Sequence, residues 1–348
     1  MAKTKNDKAA YAKLKKDIDA GTPEPLYFFY GEEDYLKRHY LDRLRAMAGE
    51  GFGDFNLIEF DARSISASAL LDAVESYPAM SERKVVVVSD VDIFKASAEL
   101  KEAAEQIFSG LPDYICLIFV YEGLPFKPDK RTKLYQLADK NGQMVEFARA
   151  DGRELATWIK RRFKALGKEI DIKDCDYLIF LCGSLMSGLA SEIDKIAAYC
   201  KGPVVHRGEI DAVASRVLET EIFELTDELS KGRFEAAMTK LSDLIAMNNE
   251  PIVILAVITR HFERLYSAKL ALDARKGPSY LTGLWGMRST YPAELMLRAA
   301  GNTGLAWLRE AVKLCSDADF ALKTSQDSGK RVLELLLLRI AAARGAKR

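Results

Sequence analysis

The sequence predicts an α/β fold followed by helices alone, and three observations carry that expectation. Strand and helix signals alternate through the first ~150 residues; the runs "KVVVV" (84–88) and "ICLIFV" (115–120) are continuously apolar; and strand signals stop after Asp151. Continuous apolar runs suit strands covered by helices on both faces, so the first half reads as a doubly wound parallel sheet. Three units are expected, at residues 1–149, 150–212 and 213–348: α/β, small helical and larger helical.

Element by element, a helix around Tyr11 to Asp19 ends at the turn "GTPEP", and Leu26 to Tyr30 reads as a buried strand. Residues 33–48 place Leu36, Tyr40, Leu44 and Met47 at helical spacing. "FNLIEFD" (55–61) reads as a second strand, and Ser68 opens a helix carrying Leu70, Leu71, Val74 and Tyr77. The third and fourth strands are the two apolar runs, and "QMVEF" (143–147) closes the sheet. Beyond it, Asp151 caps a helix with Leu155, Ile159 and Phe163 on one face, and Leu185, Leu189, Ile193 and Ile196 mark another. From about residue 213 to the end the pattern is helical throughout.

Composition narrows the function classes. Of 348 residues, Lys+Arg and Asp+Glu number 51 each, so no global field draws the chain to nucleic acid or to an anionic membrane. Five cysteines without a C-x-x-C pair and three scattered histidines offer neither a zinc site nor a disulfide scaffold, and no metal is expected. The Lys-rich start lacks the apolar stretch of a signal peptide, and no run approaches the length of a membrane span. The expectation is a cytoplasmic protein with reduced thiols.

The stretch "YFFYGEEDYLKR" (27–38) has the outline of a phosphate-binding loop: a strand ends at Gly31 and Lys37 follows six residues later. Its chemistry departs from that outline. Leu36 stands where a second glycine belongs, Arg38 replaces the magnesium-binding hydroxyl, and Glu32, Glu33 and Asp34 fill the cradle, where they would repel a triphosphate. Those acids suit the positive end of the following helix instead. Asp90 and Asp92 follow the third strand without the Asp-Glu pair of an ATPase, and Tyr121 and Glu122 occupy the place of a polar phosphate sensor. The rival enzyme reading is an ATPase using Lys37 and Asp90.

Two further stretches stand out. In "ESYPAMSERK" (75–84) a helix stops at Pro78, and Met80 either plugs the core or stands exposed as a knob for a partner's pocket; the residues alone leave both open. Basic residues beside aromatics, among them Trp285 and Arg288, are either a solvated surface or a contact that stacks on a base and follows phosphates.

The succession "PLYFFYGEEDYL", "YPAMSERKVVVV", "LPDYICLIFV", "GSLMSGLASEIDKIAAY", "IFELTDELSKGRFEAAM" and "EPIVILAVITRHFERL" resembles the delta subunit family of the bacterial DNA polymerase III clamp loader over nearly the whole chain. The resemblance implies an AAA+-like first domain without a functional phosphate loop, a small helical lid and a helical collar domain. It implies no cofactor and no catalysis of its own, within a nucleotidyltransferase holoenzyme. The implied partners are the sliding clamp (beta subunit), the other loader subunits in a hetero-pentamer and, through the complex, primed DNA. In the family an apolar pair after the helix preceding the third strand enters a pocket on the clamp. The matching positions here are Ala79 and Met80, with Tyr77 and Pro78 shaping the tip. Many relatives carry two large residues there, whereas Ala79 offers one methyl group, so Met80 is expected to carry most of the contact.

Overall fold

The computed structural model describes residues 5–49, 53–287, 289–325 and 327–345. The chain forms two compact units, Met1–Ala150 and Asp151–Arg348.

The first unit runs α1 (Lys5–Asp19), β1 (Leu26–Tyr30), α2 (Asp34–Arg45), α3 (Gly53–Asn56), β2 (Leu57–Phe60), α4 (Ala67–Glu75), β3 (Lys84–Ser89), α5 (Ala98–Ser109), β4 (Ile115–Val120), α6 (Lys133–Asn141) and β5 (Gln143–Glu146). Its five strands are all parallel, in the order β2-β3-β4-β1-β5. Because strand side chains alternate, each apolar run serves two cores. Phe28, Val86, Val88, Leu117 and Phe119 pack with Leu70, Leu100, Phe108 and Leu134 of α4, α5 and α6. Tyr27, Phe29, Val85, Val87 and Ile118 pack on the other face with Leu14, Tyr40 and Leu44 of α1 and α2.

Two boundaries differ from the sequence expectation. The second strand begins at Leu57, and Phe55 and Asn56 belong to the helical turn before it. The helix expected to open at Ser68 is capped at Ser66, whose Oγ accepts a hydrogen bond from the Ala69 N–H at 3.2 Å. A serine hydroxyl satisfies one of the amides left unpaired at a helix start, which decides the boundary.

The second unit comprises α7 (Gly152–Ala165), β6 (Glu169–Ile170), α8 (Ile172–Cys182), α9 (Met186–Tyr199), β7 (Val204–Val205), α10 (Arg207–Val213), α11 (Leu218–Lys231), α12 (Phe234–Ala246), α13 (Pro251–Asp273), α14 (Pro278–Leu284), α15 (Tyr291–Gly301), α16 (Leu305–Thr324) and α17 (Gly329–Gly345). Asp151 and Glu154 form a reciprocal capping box at the start of α7. The expectation that strands cease after Asp151 is corrected by the parallel pair β6–β7, two residues each and too short to leave a periodic signal. Among the described residues no single helix is long and apolar enough to cross a membrane.

The 23-residue α13 is the centre of the larger core, where Ile254, Ile258, Phe262 and Leu265 meet Leu225, Leu308 and Leu337. His261 is buried on this helix, its ring edge-on to Phe223 at 5.3 Å. Burial, helped by the nearby Arg264 charge, pushes its imidazole down to about 3. The folded chain keeps His261 neutral while the unfolded chain binds a proton below about pH 6.5. Its contribution is therefore full above that pH and is lost as pH falls toward 3, by up to about 1.4 kcal/mol per pH unit. Urea unfolding of wild type and His261→Leu between pH 7 and 4 should show a shallower pH slope in the variant. Parallel slopes would refute this assignment.

Candidate functional site

At the carboxyl end of β1 the chain turns over the end of β5. Gly31 has φ +112°, and a Cβ there would lie 2.5 Å from the Phe147 carbonyl oxygen, so only glycine fits the crossing. The Glu33 N–H donates to that same oxygen at 2.8 Å, and the Phe147 N–H donates to the Tyr30 carbonyl at 2.7 Å.

Lys37 then points into the protein with 0% exposure. Its Nζ donates to the Gly31 carbonyl at 2.9 Å and the Tyr121 carbonyl at 2.7 Å, and lies 2.8 Å from Asp34 Oδ1. An ammonium group has three N–H donors, and three acceptors surround it. The lysine whose spacing matches a phosphate loop thus ties the ends of β1 and β4 to the first turn of α2. Leu36 packs against the α2 core, and Glu33, itself buried, is the N-cap of α2. Arg38 makes a two-pronged contact with Glu122, at 3.1 Å on both prongs, and Glu32 faces Arg149 at 3.3 Å.

Asp90, at φ +52°, is also committed. Its Oδ1 accepts from the backbone N–H groups of Glu122 (2.8 Å), Gly123 (2.9 Å) and Leu124 (3.2 Å), shaping the turn after β4. Asp92 pairs with Lys95 at 2.9 Å, and Tyr121 is buried against Phe126. A cavity of about 250 Å³ beside this turn is lined by Arg38, Asp42, Arg45, Asp90 and Glu122, and Lys37 does not reach it.

The second place is the segment between α4 and β3. After Glu75, Lys84 Nζ donates to the Ser76 hydroxyl and approaches its carbonyl at 3.4 Å, fastening the helix end to the start of β3. Burial holds the Lys84 ammonium below the usual lysine range. Tyr77 is 83% exposed, with its ring 5.1 Å from that of Tyr114, and half-buried Pro78 follows. Ala79 is exposed, yet its backbone is gripped on both sides: its N–H donates to Asn56 Oδ1 at 2.7 Å, and its carbonyl accepts from Asn56 Nδ2 at 2.8 Å. Met80 has φ +49° and is 87% exposed, so it plugs no core. A left-handed backbone at a non-glycine residue costs about 1–2 kcal/mol, which the surrounding contacts must offset.

Phe55, 68% exposed, lies next to Asn56 at the same corner. Neither residue was legible as part of the site, because the sequence places both inside a strand. The available signal was Asn56 itself, a turn residue closing the "GFGDFN" stretch just before the apolar run.

Trp285 follows α14 with its ring half-buried against the helical core. Its Nε1 donates to Ser267 Oγ at 3.1 Å, and the Arg264 guanidinium lies 5.9 Å from the ring. Arg288 lies outside the described residues.

Residues 27–148 match the family model described as DNA polymerase III, delta subunit, and residues 219–340 match the model for the C-terminal domain of the DNA polymerase III delta subunit. DNA polymerase III subunit delta of Bacillus subtilis (strain 168) is 25% identical over 332 residues, covering 93% of this chain and 95% of that protein. A probable DNA polymerase III subunit delta of Aquifex aeolicus (strain VF5) is 23% identical over 256 residues, 71% of each chain. The solved structure of the Bacillus subtilis DNA clamp loader delta protein superposes with a TM-score of 0.60 at 23% identity, covering 95% of this chain and 99% of the other. With two models of one family spanning most of residues 27–340 and a relative matched nearly end to end, the chain belongs to the DNA polymerase III delta subunit family.

Proposed function

We propose that this chain grips the sliding clamp through the Tyr77–Met80 tip and helps open the ring for loading onto primed DNA, without hydrolysing ATP itself. The observation that carries the reading is Met80, a large apolar side chain standing in solvent on a backbone held in a strained conformation. Exposed apolar anchors on fixed backbone are what a partner's pocket recognises. Phe55 and Tyr77 widen the apolar corner and offset the small side chain of Ala79.

The absence of ATP chemistry rests on the commitments of Lys37 and Asp90, whose hydrogen bonds go to the protein's own turns. Nucleotide control then comes from neighbouring loader subunits. A ring interface opens when the loader binds its open or strained form more tightly than its closed form, and only that difference shifts the population. Residues 150–212 fit the lid and residues 213–348 the collar of a hetero-pentamer, in the cytoplasm.

Co-purification of the chain with the sliding clamp tests the contact, and titration with labelled ATP tests the empty loop. Clamp retention with no saturable nucleotide binding is expected. Saturable micromolar ATP binding by the isolated chain would overturn the second half of the reading.

A further inference from the structure

Something must hold Met80 outward, because nothing in the core pulls on its side chain. Among the described residues only four non-glycine positions have positive φ, and Met80 is the one that is a long apolar residue. The neighbouring peptide unit is where the constraint lies. Asn56 is fully buried, and its carboxamide presents one acceptor and one donor to the N–H and carbonyl of Ala79, at 2.7 and 2.8 Å. That pairing reproduces the two-bond exchange between opposed residues of antiparallel strands, made here by a side chain. Asn56 is itself fixed, since the next residue, Leu57, enters β2 in register with Val85 of β3. The tip is thus attached to the sheet at Lys84, at the end of α4 through Ser76, and at Ala79 through Asn56.

We infer that Asn56 is a positioning residue for the clamp contact: it fixes Ala79 so that Met80 is presented before the clamp arrives. This rests on the reading of Met80 as the anchor. A preorganised tip avoids the ordering entropy that a free loop would lose on binding. An alanine at position 56 would leave both Ala79 groups without their partner and let the segment sample other conformations.

The test is a double-mutant cycle on the full chain, measuring Kd for the sliding clamp with wild type, Asn56→Ala, Met80→Ala and the double variant. Amide hydrogen exchange is followed in parallel. Asn56→Ala alone should weaken binding about tenfold, the scale expected for two lost hydrogen bonds. In the Met80→Ala background the same change should add no more than about a twofold loss, because a positioned anchor is no longer present. The Ala79 amide should be protected in wild type and exchange faster in Asn56→Ala, while the amides of Val85–Val88 keep their protection.

Equal losses in both backgrounds would make Asn56 merely structural and overturn the inference, as would an unprotected Ala79 amide in wild type. If Met80→Ala weakens binding and Asn56→Ala does not, this inference alone falls. If Met80→Ala binds as wild type does, the reading of the tip falls with it. Should Asn56→Ala fail to fold, Asn56→Ser, which keeps a small neutral polar side chain while losing the paired contact to Ala79, carries the same cycle.

Discussion

Lys37→Ala should lower the stability of the N-terminal unit by about 3 kcal/mol, a melting shift of roughly 6–12 °C for a unit of this size. The change removes a buried cation from between the Gly31 and Tyr121 carbonyls and from Asp34. Each carbonyl left buried without a donor costs about 1–3 kcal/mol, and deleting the aliphatic stem adds a packing loss. Lys37→Met keeps most of the stem and removes only the donors, so it should recover part of the loss. A phosphate-binding lysine behaves otherwise: it faces the ligand, and its replacement abolishes nucleotide binding with little effect on the melt. Scanning calorimetry together with labelled-ATP titration separates the two cases. An unchanged melting temperature with lost ATP binding would restore the nucleotide reading.

The same residue marks where the sequence stops informing. The strand-turn-helix around Gly31 was readable, because an apolar run, a glycine and a helical spacing are all local signals. The direction of Lys37 was not, since one of its acceptors is 84 positions away along the chain. β3 and β4 were readable for a related reason: strands buried on both faces are continuous apolar runs. At Phe55 and Asn56 that logic misled, because an aromatic beside a strand extends the apolar signal although the backbone there is helical. The grip of Asn56 on Ala79, 23 positions on, exists only in the folded chain. Methionine suits either core or surface, so the exposure of Met80 also had to come from the structure.

The charge pattern of the turn has a consequence for the whole unit. Asp34 with Lys37, Arg38 with Glu122 and Arg149 with Glu32 form three ion pairs at the carboxyl ends of the strands. The exposed pairs, such as Arg38–Glu122, contribute at most about 1 kcal/mol each. The buried Lys37 contributes more, since the Tyr121 carbonyl that accepts from it is closed to water. The turn therefore holds its shape by internal pairing.

Met80→Ala should weaken binding to the sliding clamp by one to two orders of magnitude while leaving the melting temperature within about 1 °C of wild type. Fully burying a methionine side chain is worth about 1.5–3 kcal/mol, and 1.4 kcal/mol is a factor of ten in Kd. Because the side chain is almost wholly in solvent, the unbound chain loses no contact when it is shortened. The left-handed backbone is equally unfavourable for alanine and methionine, so the strain does not change. The converse substitution sharpens the test. Ala79→Leu adds apolar surface beside Met80 without touching the backbone bonds to Asn56, and it should tighten binding up to about tenfold if the tip enters an apolar pocket. Calorimetric titration of both variants against the clamp decides, since loss in one and gain in the other requires the pocket to close over this tip. Wild-type affinity in Met80→Ala would move the contact elsewhere on the chain.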